Sequence, residues 1–279
     1  YCEEREIVLS EAEMNRLALG CVGVKRTTGQ HPAGMVVLPK EYEIYQFTPI
    51  QHPADDMTSP TITTHFDFHS IHDNLLKLDE LGHDVPTIIR HLQNLTGVDP
   101  MDVPLDDKET MRAFTDIGPL GIETDDILEQ PGSAGVPEFG TKNARSMLME
   151  TQPTTLEGLI RISGLSHGTN VWLGNAQDLI KEGICDISRV IGTRDGIMLD
   201  MIRYGLDNST SFKIMEAVRK GKGLTPEWEA DMVAHNVPEW YILSCKKIKY
   251  LFPKAHAAAY VMSAIRLAWY KVHQPVAFY

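Results

Sequence analysis

Three stretches of the chain gather residue types able to do chemistry. The first is Leu75-Leu76-Lys77-Leu78-Asp79-Glu80-Leu81-Gly82. It reads as a strand on which Lys77 and Asp79 share one face while Leu76 and Leu78 point the other way, into the core. A carboxylate at a strand end beside an ammonium can hold a divalent metal next to a phosphate, because Mg²⁺ takes one or two carboxylates and leaves its other positions to water and substrate. The plainer reading is a surface ion pair. The second stretch is His65-Phe66-Asp67-Phe68-His69, followed by His72-Asp73. Strand alternation puts His65, Asp67 and His69 on one face, a set of zinc or other transition-metal ligands on which a metallohydrolase could be built. Against it, such ligands fan out by about 7 Å per step and do not all reach one ion; a solvated strand face gives the same pattern. The third stretch runs from Lys246 to Tyr260 and contains Lys246, Lys247, Lys249, Tyr250, Lys254 and His256. Pro253 starts a helix there, with His256 and Tyr260 four apart on one face. A helix N-terminus among cations suits anionic oxygens, notably those of a triphosphate, and Tyr250 offers a ring to a base. A basic helix pair packed by alanines and tyrosine is the alternative. Ser166-His167 looks at first like a hydrolase pair, but adjacent residues rarely act as nucleophile and base, and the spacing of a nucleophile elbow is missing.

The elements that position these residues fall into two parts. Ser10 with Glu13 forms a capping box for a helix that stops at Gly20. A basic loop holding Lys25, Arg26 and His31 then feeds the apolar strand Met35-Val36-Val37-Leu38. Asp84 caps a helix with Pro86 in its first turn and Ile88, Ile89, Leu92 and Leu95 on one stripe. Asp106 with Glu109 opens another helix, and 116–142 is a long Gly/Pro-containing connection that includes Asp125-Asp126. Helical patterns follow at about 142–150, 156–163, 175–182, 194–204, 211–220, 226–235, 239–250 and 254–272. The class is therefore α+β, with a mixed α/β part over 1–105 and an all-helical part over 106–279.

Composition bounds the function. The chain has 279 residues, 43% hydrophobic and 23% charged, which excludes a wholly disordered polypeptide. No apolar run nears the roughly 20 residues that span a bilayer, and the opening residues do not read as a secretory leader. Four cysteines without a CxxC pair argue against a zinc ribbon or a disulfide scaffold and fit a reducing cytoplasm. A first residue other than Met, and a last residue just after a strong helical pattern, read as a segment of something longer. The net charge of −12 argues against nonspecific nucleic-acid binding, yet between Phe212 and His273 ten Lys and Arg face five Asp and Glu. A basic lobe beside an acidic one suits an enzyme that handles phosphates with metals; two merely solvated faces would look the same.

Several long segments together carry a resemblance: GVKRTTGQHPAG (23–34), TTHFDFHSIHDNLLKLDELGHD (63–84), GVPEFGTKNAR (135–145), ISGLSHGTNVWLGNAQDLI (162–180), VRKGKGLTPE (218–227) and SCKKIKYLFPKAHAAAYV (244–261). Over nearly the whole chain they resemble the α subunit of bacterial DNA polymerase III, in its Gram-positive PolC type. The resemblance implies a nucleotidyltransferase-like palm built on a small mixed sheet, followed by helical fingers that this chain holds incompletely. It implies a cytoplasmic replicative DNA polymerase that extends a primer by phosphoryl transfer with two Mg²⁺ ions. Template-primer DNA and deoxynucleoside triphosphates are then the partners, with a sliding clamp and other replisome subunits bound through regions outside this chain, and no membrane.

By the same resemblance Asp79 is one of three palm aspartates and a metal ligand, and Lys77 lies near the reacting phosphates. Arg26 and His31 contact nucleic acid or nucleotide. Arg194, Lys246, Lys247, Lys249, Tyr250, Lys254 and His256 line the triphosphate and base. The other two aspartates belong to an Asp-x-Asp pair in a preceding segment, and no Asp-x-Asp occurs in these 279 residues; the chain by itself is expected to be inactive. Ala33, Glu80 and Gly196 depart from the family pattern, where Gly, an apolar residue and Asp are expected. Two other readings stay open beside this one: the metallohydrolase of His65, Asp67 and His69, and a noncatalytic nucleic-acid-binding module.

Overall fold

The computed structural model describes residues 3–25, 27–122 and 130–279. Arg26 and the Asp125-Asp126 pair lie outside the described residues. The chain divides into two compact units, Tyr1–Gly82 and His83–Tyr279.

In the first unit, α1 (Glu11–Gly20) opens as its capping residues dictate, the Ser10 hydroxyl accepting the Glu13 amide at 3.2 Å. Strand β1 (Gly34–Val37) pairs antiparallel with β4 (Leu76–Asp79), Gly34 opposite Asp79 and Val36 opposite Lys77. Strands β2 (Ile50–Gln51) and β3 (Thr63–Thr64) form a second antiparallel pair. Sheet structure is thus two separate ribbons rather than the single mixed sheet of the sequence reading.

Two sequence expectations fail in this unit. Leu76 and Leu78 do not enter a core: they are 61% and 48% exposed, alongside Met35 at 64% on β1. A two-stranded ribbon has one face for Lys77 and one for the leucines, and only Thr48, Ile71 and Leu75 are buried among the unit's described residues. His65, Asp67 and His69 also fail to share a strand. Strand β3 ends at Thr64, and Phe68–Ser70 is a 3₁₀ turn. The His65 ring bonds the Gln51 side-chain oxygen, and the His72 ring bonds the His69 carbonyl at 2.8 Å. Among the described residues no three His, Cys, Asp or Glu side chains gather to hold a metal.

The second unit is helical: α2 (Asp84–Thr96), α3 (Lys108–Arg112), α4 (Lys142–Thr151), α5 (Leu156–His167), α6 (Gln177–Lys181), α7 (Arg194–Tyr204), α8 (Asn208–Arg219), α9 (Pro226–Ala234), α10 (Glu239–Lys247), α11 (Lys254–His273) and α12 (Pro275–Phe278). Its core is continuous, with Phe114, Phe139, Met147, Leu159, Ile162, Ile197, Met201, Ile214, Val261 and Ile265 sealed from solvent. Helix α11 runs through it, touching α2, α3, α5 and α7. Val85 and Leu92 of α2 pack on Leu267 and Tyr270 of α11, so α2 sits with the helices and the compact units part at 82/83, ahead of residue 105. Two caps slip by one residue. His83, not Asp84, caps α2, its Nδ1 accepting the Val85 amide at 3.2 Å. Asp107, not Asp106, caps α3, accepting the Thr110 amide at 2.8 Å. Helix α10 stops at Lys247, three residues short of Tyr250, because Ile248 turns extended. No helix among the described residues is long and apolar enough to cross a membrane.

Candidate functional site

The first unit brings His31, Lys77 and Asp79 to one spot over Gly34. Strand pairing sets Gly34 beside Asp79, and the loop before β1 folds the His31 ring over the same residue. His31 Nδ1 accepts the amides of Ala33 at 3.1 Å and Gly34 at 2.6 Å. That nitrogen is therefore the unprotonated one, and its Nε2–H is left to donate. A side chain at position 34 would have to displace both the His31 ring and the Asp79 carboxylate: its Cβ would stand 2.8 Å from His31 Nδ1 and 3.0 Å from Asp79 Oδ1. Lys77 Nζ lies 3.4 Å from Asp79 Oδ1 and 5.3 Å from the centre of the Phe68 ring. Lys77 is therefore packed as well as paired. Asp79 is 44% exposed. One carboxylate that faces water beside an ammonium has the donor chemistry for a single position on a hard, partly hydrated cation, and does not by itself make a metal site. Ala33 is no obstruction, since its carbonyl simply accepts the Glu80 amide at 3.0 Å and continues the ribbon.

In the second unit four loops converge on the N-terminus of α11. The strand-like segment after α10 bridges to the end of α5, Thr169 donating to the Tyr250 carbonyl at 2.9 Å and Lys249 to the Thr169 carbonyl at 3.0 Å. The turn after α8 closes on the other side of that segment. Gly221, at φ +69°, places its α-carbon where a Cβ would stand 2.6 Å from the Lys249 carbonyl oxygen, so an L-residue there carries both the strain of the left-handed backbone and a clash with backbone atoms. From the start of α7, Arg194 N–H donates to the Phe252 carbonyl at 2.9 Å. The Asp195 carboxylate accepts the Lys254 amide at 2.6 Å. Arg194, Lys249, Tyr250 and Lys254 are thereby brought together by backbone pairing and by the Asp195 carboxylate, with His256 two residues further along α11.

The cations differ in how free they are. Lys246 is engaged by Glu229 at 2.7 Å, Lys247 by the Gly174 carbonyl at 2.7 Å, and Lys254 by Glu157 at 2.9 Å. Lys249 is exposed and makes its bonds through the backbone. Lys246 faces α9 through its Glu229 bond, and Lys247 turns toward Gly174; these two are the sequence candidates that their partners hold elsewhere. The α11 N-terminus already carries the Asp195 carboxylate on its Lys254 amide.

Sequence reading missed Asp195, because a cap supplied from 59 residues away leaves no local pattern. It also missed Glu138, whose carboxylate meets His167 Nε2 at 2.8 Å. Ser166 donates to the Ser163 carbonyl at 2.8 Å, so Ser166 and His167 do not pair, as their adjacency indicates. The His256 ring stacks on Tyr260 at 4.3 Å, as four-residue spacing predicts.

The first unit thus carries a carboxylate, a lysine and a histidine beside one glycine of a strand ribbon, and the helical unit brings cations and rings to one helix start. The family model for the bacterial DNA polymerase III alpha subunit finger domain matches residues 85–237, and that for the bacterial DNA polymerase III alpha NTPase domain matches residues 2–82. The chain belongs to the bacterial DNA polymerase III α-subunit family. It is 60% identical over its full length to proteins named DNA polymerase III PolC-type from Oceanobacillus iheyensis and from Staphylococcus aureus strain MW2, covering 20% and 19% of their respective lengths. The chain thus spans about a fifth of the curated relatives it matches.

Proposed function

We propose that this chain is the palm-and-fingers portion of a replicative DNA-directed DNA polymerase that adds deoxynucleotides to a primer 3′ end. The observation that carries the reading is the gathering of Asp79, Lys77 and His31 about Gly34, where an added Cβ would meet both the His31 ring and the Asp79 carboxylate, in a chain with the sequence of that family. Asp79 supplies one carboxylate to the metal site. When bound there, divalent ions, Mg²⁺ by the chemistry of hard oxygen ligands, would supply Lewis-acid activation of a hydroxyl and charge neutralisation for a leaving pyrophosphate. Lys77, held 3.4 Å from Asp79, keeps positive charge beside the transferring phosphoryl group. The His31 Nε2–H is a neutral donor toward phosphate oxygen. The sequence boundary gives 1–105 as palm and 106–279 as fingers; because α2 packs on α11, the fingers take in residues from 83 onward. Arg194, Lys249, Tyr250, Lys254 and His256 there meet the triphosphate and base, with Lys246 and Lys247 as further cations of the fingers and Arg26 a palm contact to nucleic acid or nucleotide. Template-primer DNA and deoxynucleoside triphosphates are the substrates; a clamp and further replisome subunits bind elsewhere in the complete, cytoplasmic protein.

The test has two arms. The 279-residue chain with primer-template, Mg²⁺ and all four nucleotides gives no extension, and robust extension would overturn the assignment of the missing carboxylates to other parts of the polypeptide. In the complete polymerase, Lys249→Ala raises the nucleotide KM; an unchanged value removes Lys249 from the site. A noncatalytic DNA-binding module would keep a steep salt dependence of DNA affinity without any metal-dependent turnover.

A further inference from the structure

Glu138 occupies a costly position. Its backbone is left-handed at φ +70°, a conformation that costs a residue other than glycine roughly 1–2 kcal/mol. Its side chain is only 14% exposed. One oxygen, Oε2, meets both His167 Nε2 at 2.8 Å and the Ser163 hydroxyl, which donates at 3.1 Å. Burial opposes the charge, yet the bond and charge of His167, with the Ser163 hydroxyl, hold this carboxyl below its ordinary value, and Glu138 raises His167 in return. The pair is ionic whenever His167 is protonated, and its hydrogen bond clamps the imidazole at the end of α5.

The clamped ring begins a row. His167 stacks on Phe252 with centroids 4.8 Å apart, and Phe252 meets the His256 ring edge-on at 4.7 Å. His256 stacks on Tyr260 at 4.3 Å, and Tyr260 meets His83 at 5.1 Å. Phe252 is also tied through its carbonyl to Arg194. The His256 and Tyr260 rings, on the first two turns of α11, therefore have one end of their stack fixed by a carboxylate from a distant loop.

We infer that Glu138 is a positioning residue: by holding His167 flat against Phe252 it sets the orientation of His256 and Tyr260 at the start of α11. That these rings face the incoming nucleotide rests on the function proposed above; that Glu138 orients them does not. A plain tether of the 131–141 loop to α5 would make the same hydrogen bonds but leave His256 indifferent to them.

The experiment compares wild type, Glu138→Ala and Glu138→Gln, the last keeping an acceptor for the imidazole N–H while removing the charge. On the 279-residue chain, the ring-proton resonances of His167 and His256 are followed by NMR, assigned with His167→Asn and His256→Asn. Both resonances should shift in Glu138→Ala, and Glu138→Gln should give smaller shifts of both. In the complete polymerase, Glu138→Ala should raise nucleotide KM about 2- to 12-fold, the range spanned by the ~0.5–1.5 kcal/mol of one aromatic pair, with kcat nearly unchanged and partial rescue by Gln. A His256 resonance that stays in place in the variants overturns the inference, whatever the stability does; should the Ala variant fail to fold, the Gln variant decides the same point. A shifted His256 with unchanged KM upholds the positioning role of Glu138 and overturns the nucleotide reading of α11. No primer extension by the wild-type complete polymerase would instead strike the proposed function alone.

Discussion

Replacing Gly221 by alanine tests the convergence of loops at α11. The backbone at 221 is left-handed (φ +69°), and an added Cβ would stand 2.6 Å from the Lys249 carbonyl oxygen and 3.0 Å from its Cα. These are backbone atoms held by pairing with Thr169, so they do not swing aside as a side-chain tip would. The left-handed conformation costs alanine about 1–2 kcal/mol, and overpacking adds about 1–3 kcal/mol. Gly223, two residues on, is the matched control. It is equally left-handed at φ +74°, but nothing lies within 4 Å of its would-be Cβ. Gly223→Ala should thus lose about 1–2 kcal/mol, and Gly221→Ala about 2–5 kcal/mol. At roughly 2–4 °C per kcal/mol, thermal unfolding followed by circular dichroism separates them. Equal losses would refute the close approach of the 221 turn to the Lys249 segment. In the complete polymerase only Gly221→Ala should also raise nucleotide KM, because relief of the clash displaces Lys249 and Tyr250.

Three further outcomes follow from burial and charge. Lys271 is 2% exposed, its ammonium donating to the carbonyls of Gly132 at 2.8 Å and Ala134 at 2.5 Å, and burial pushes its pKa down from 10.5 to about 8. The unfolded chain holds this proton more tightly, so the group's contribution to stability rises with pH between about 8 and 10.5; Lys271→Met should flatten that rise in denaturant titrations at successive pH values, and an unaltered slope would contradict the burial. His167 is raised above 6.5 by Glu138, so its ion pair is fully stabilising below pH 6.5 and is lost as pH climbs through the raised value. The stability difference between wild type and His167→Ala should accordingly shrink above pH 6.5, and a difference that grows with pH would be the wrong sign. Finally, residues 83–279 hold the continuous core whereas the described part of the first unit buries only Thr48, Ile71 and Leu75. Expressed separately, 83–279 should unfold cooperatively and 1–82 should show no transition; a cooperative transition in 1–82 would show that the exposed leucines need no cover.

What could be read from the sequence was what local chemistry decides. The Ser10 cap, the start of α7 at Arg194, the start of α11 after Pro253 and the shared face of His256 and Tyr260 each depend on residues within one or two turns. The α+β class followed from the same periodicities. The failures have a common physical origin in partners remote in sequence. His65, Asp67 and His69 alternate as a strand would, but strand length is set by pairing, and β3 finds a partner for only Thr63 and Thr64. Leu76 and Leu78 read as core because apolar residues opposite charged ones usually are, yet burial needs a second layer and the β1–β4 ribbon has none within its unit. Asp195 and Glu138 act across 59 and 29 residues, where periodicity is silent. For Asp79 the sequence supplied the position and the face shared with Lys77, while the folding of His31 onto the same glycine became visible only in three dimensions.

The central claim is that Asp79 is a metal-binding carboxylate in a polymerase palm, and Asp79→Asn in the complete polymerase tests it most directly. Primer extension under single-turnover conditions, read beside primer-template affinity in the same buffer, should show a rate lowered by about 1,000-fold or more, the equivalent of roughly 4 kcal/mol of lost charge stabilisation, with DNA affinity within a few-fold of wild type. Extension at near wild-type rate, or a loss of affinity that accounts for the whole loss of rate, would contradict it.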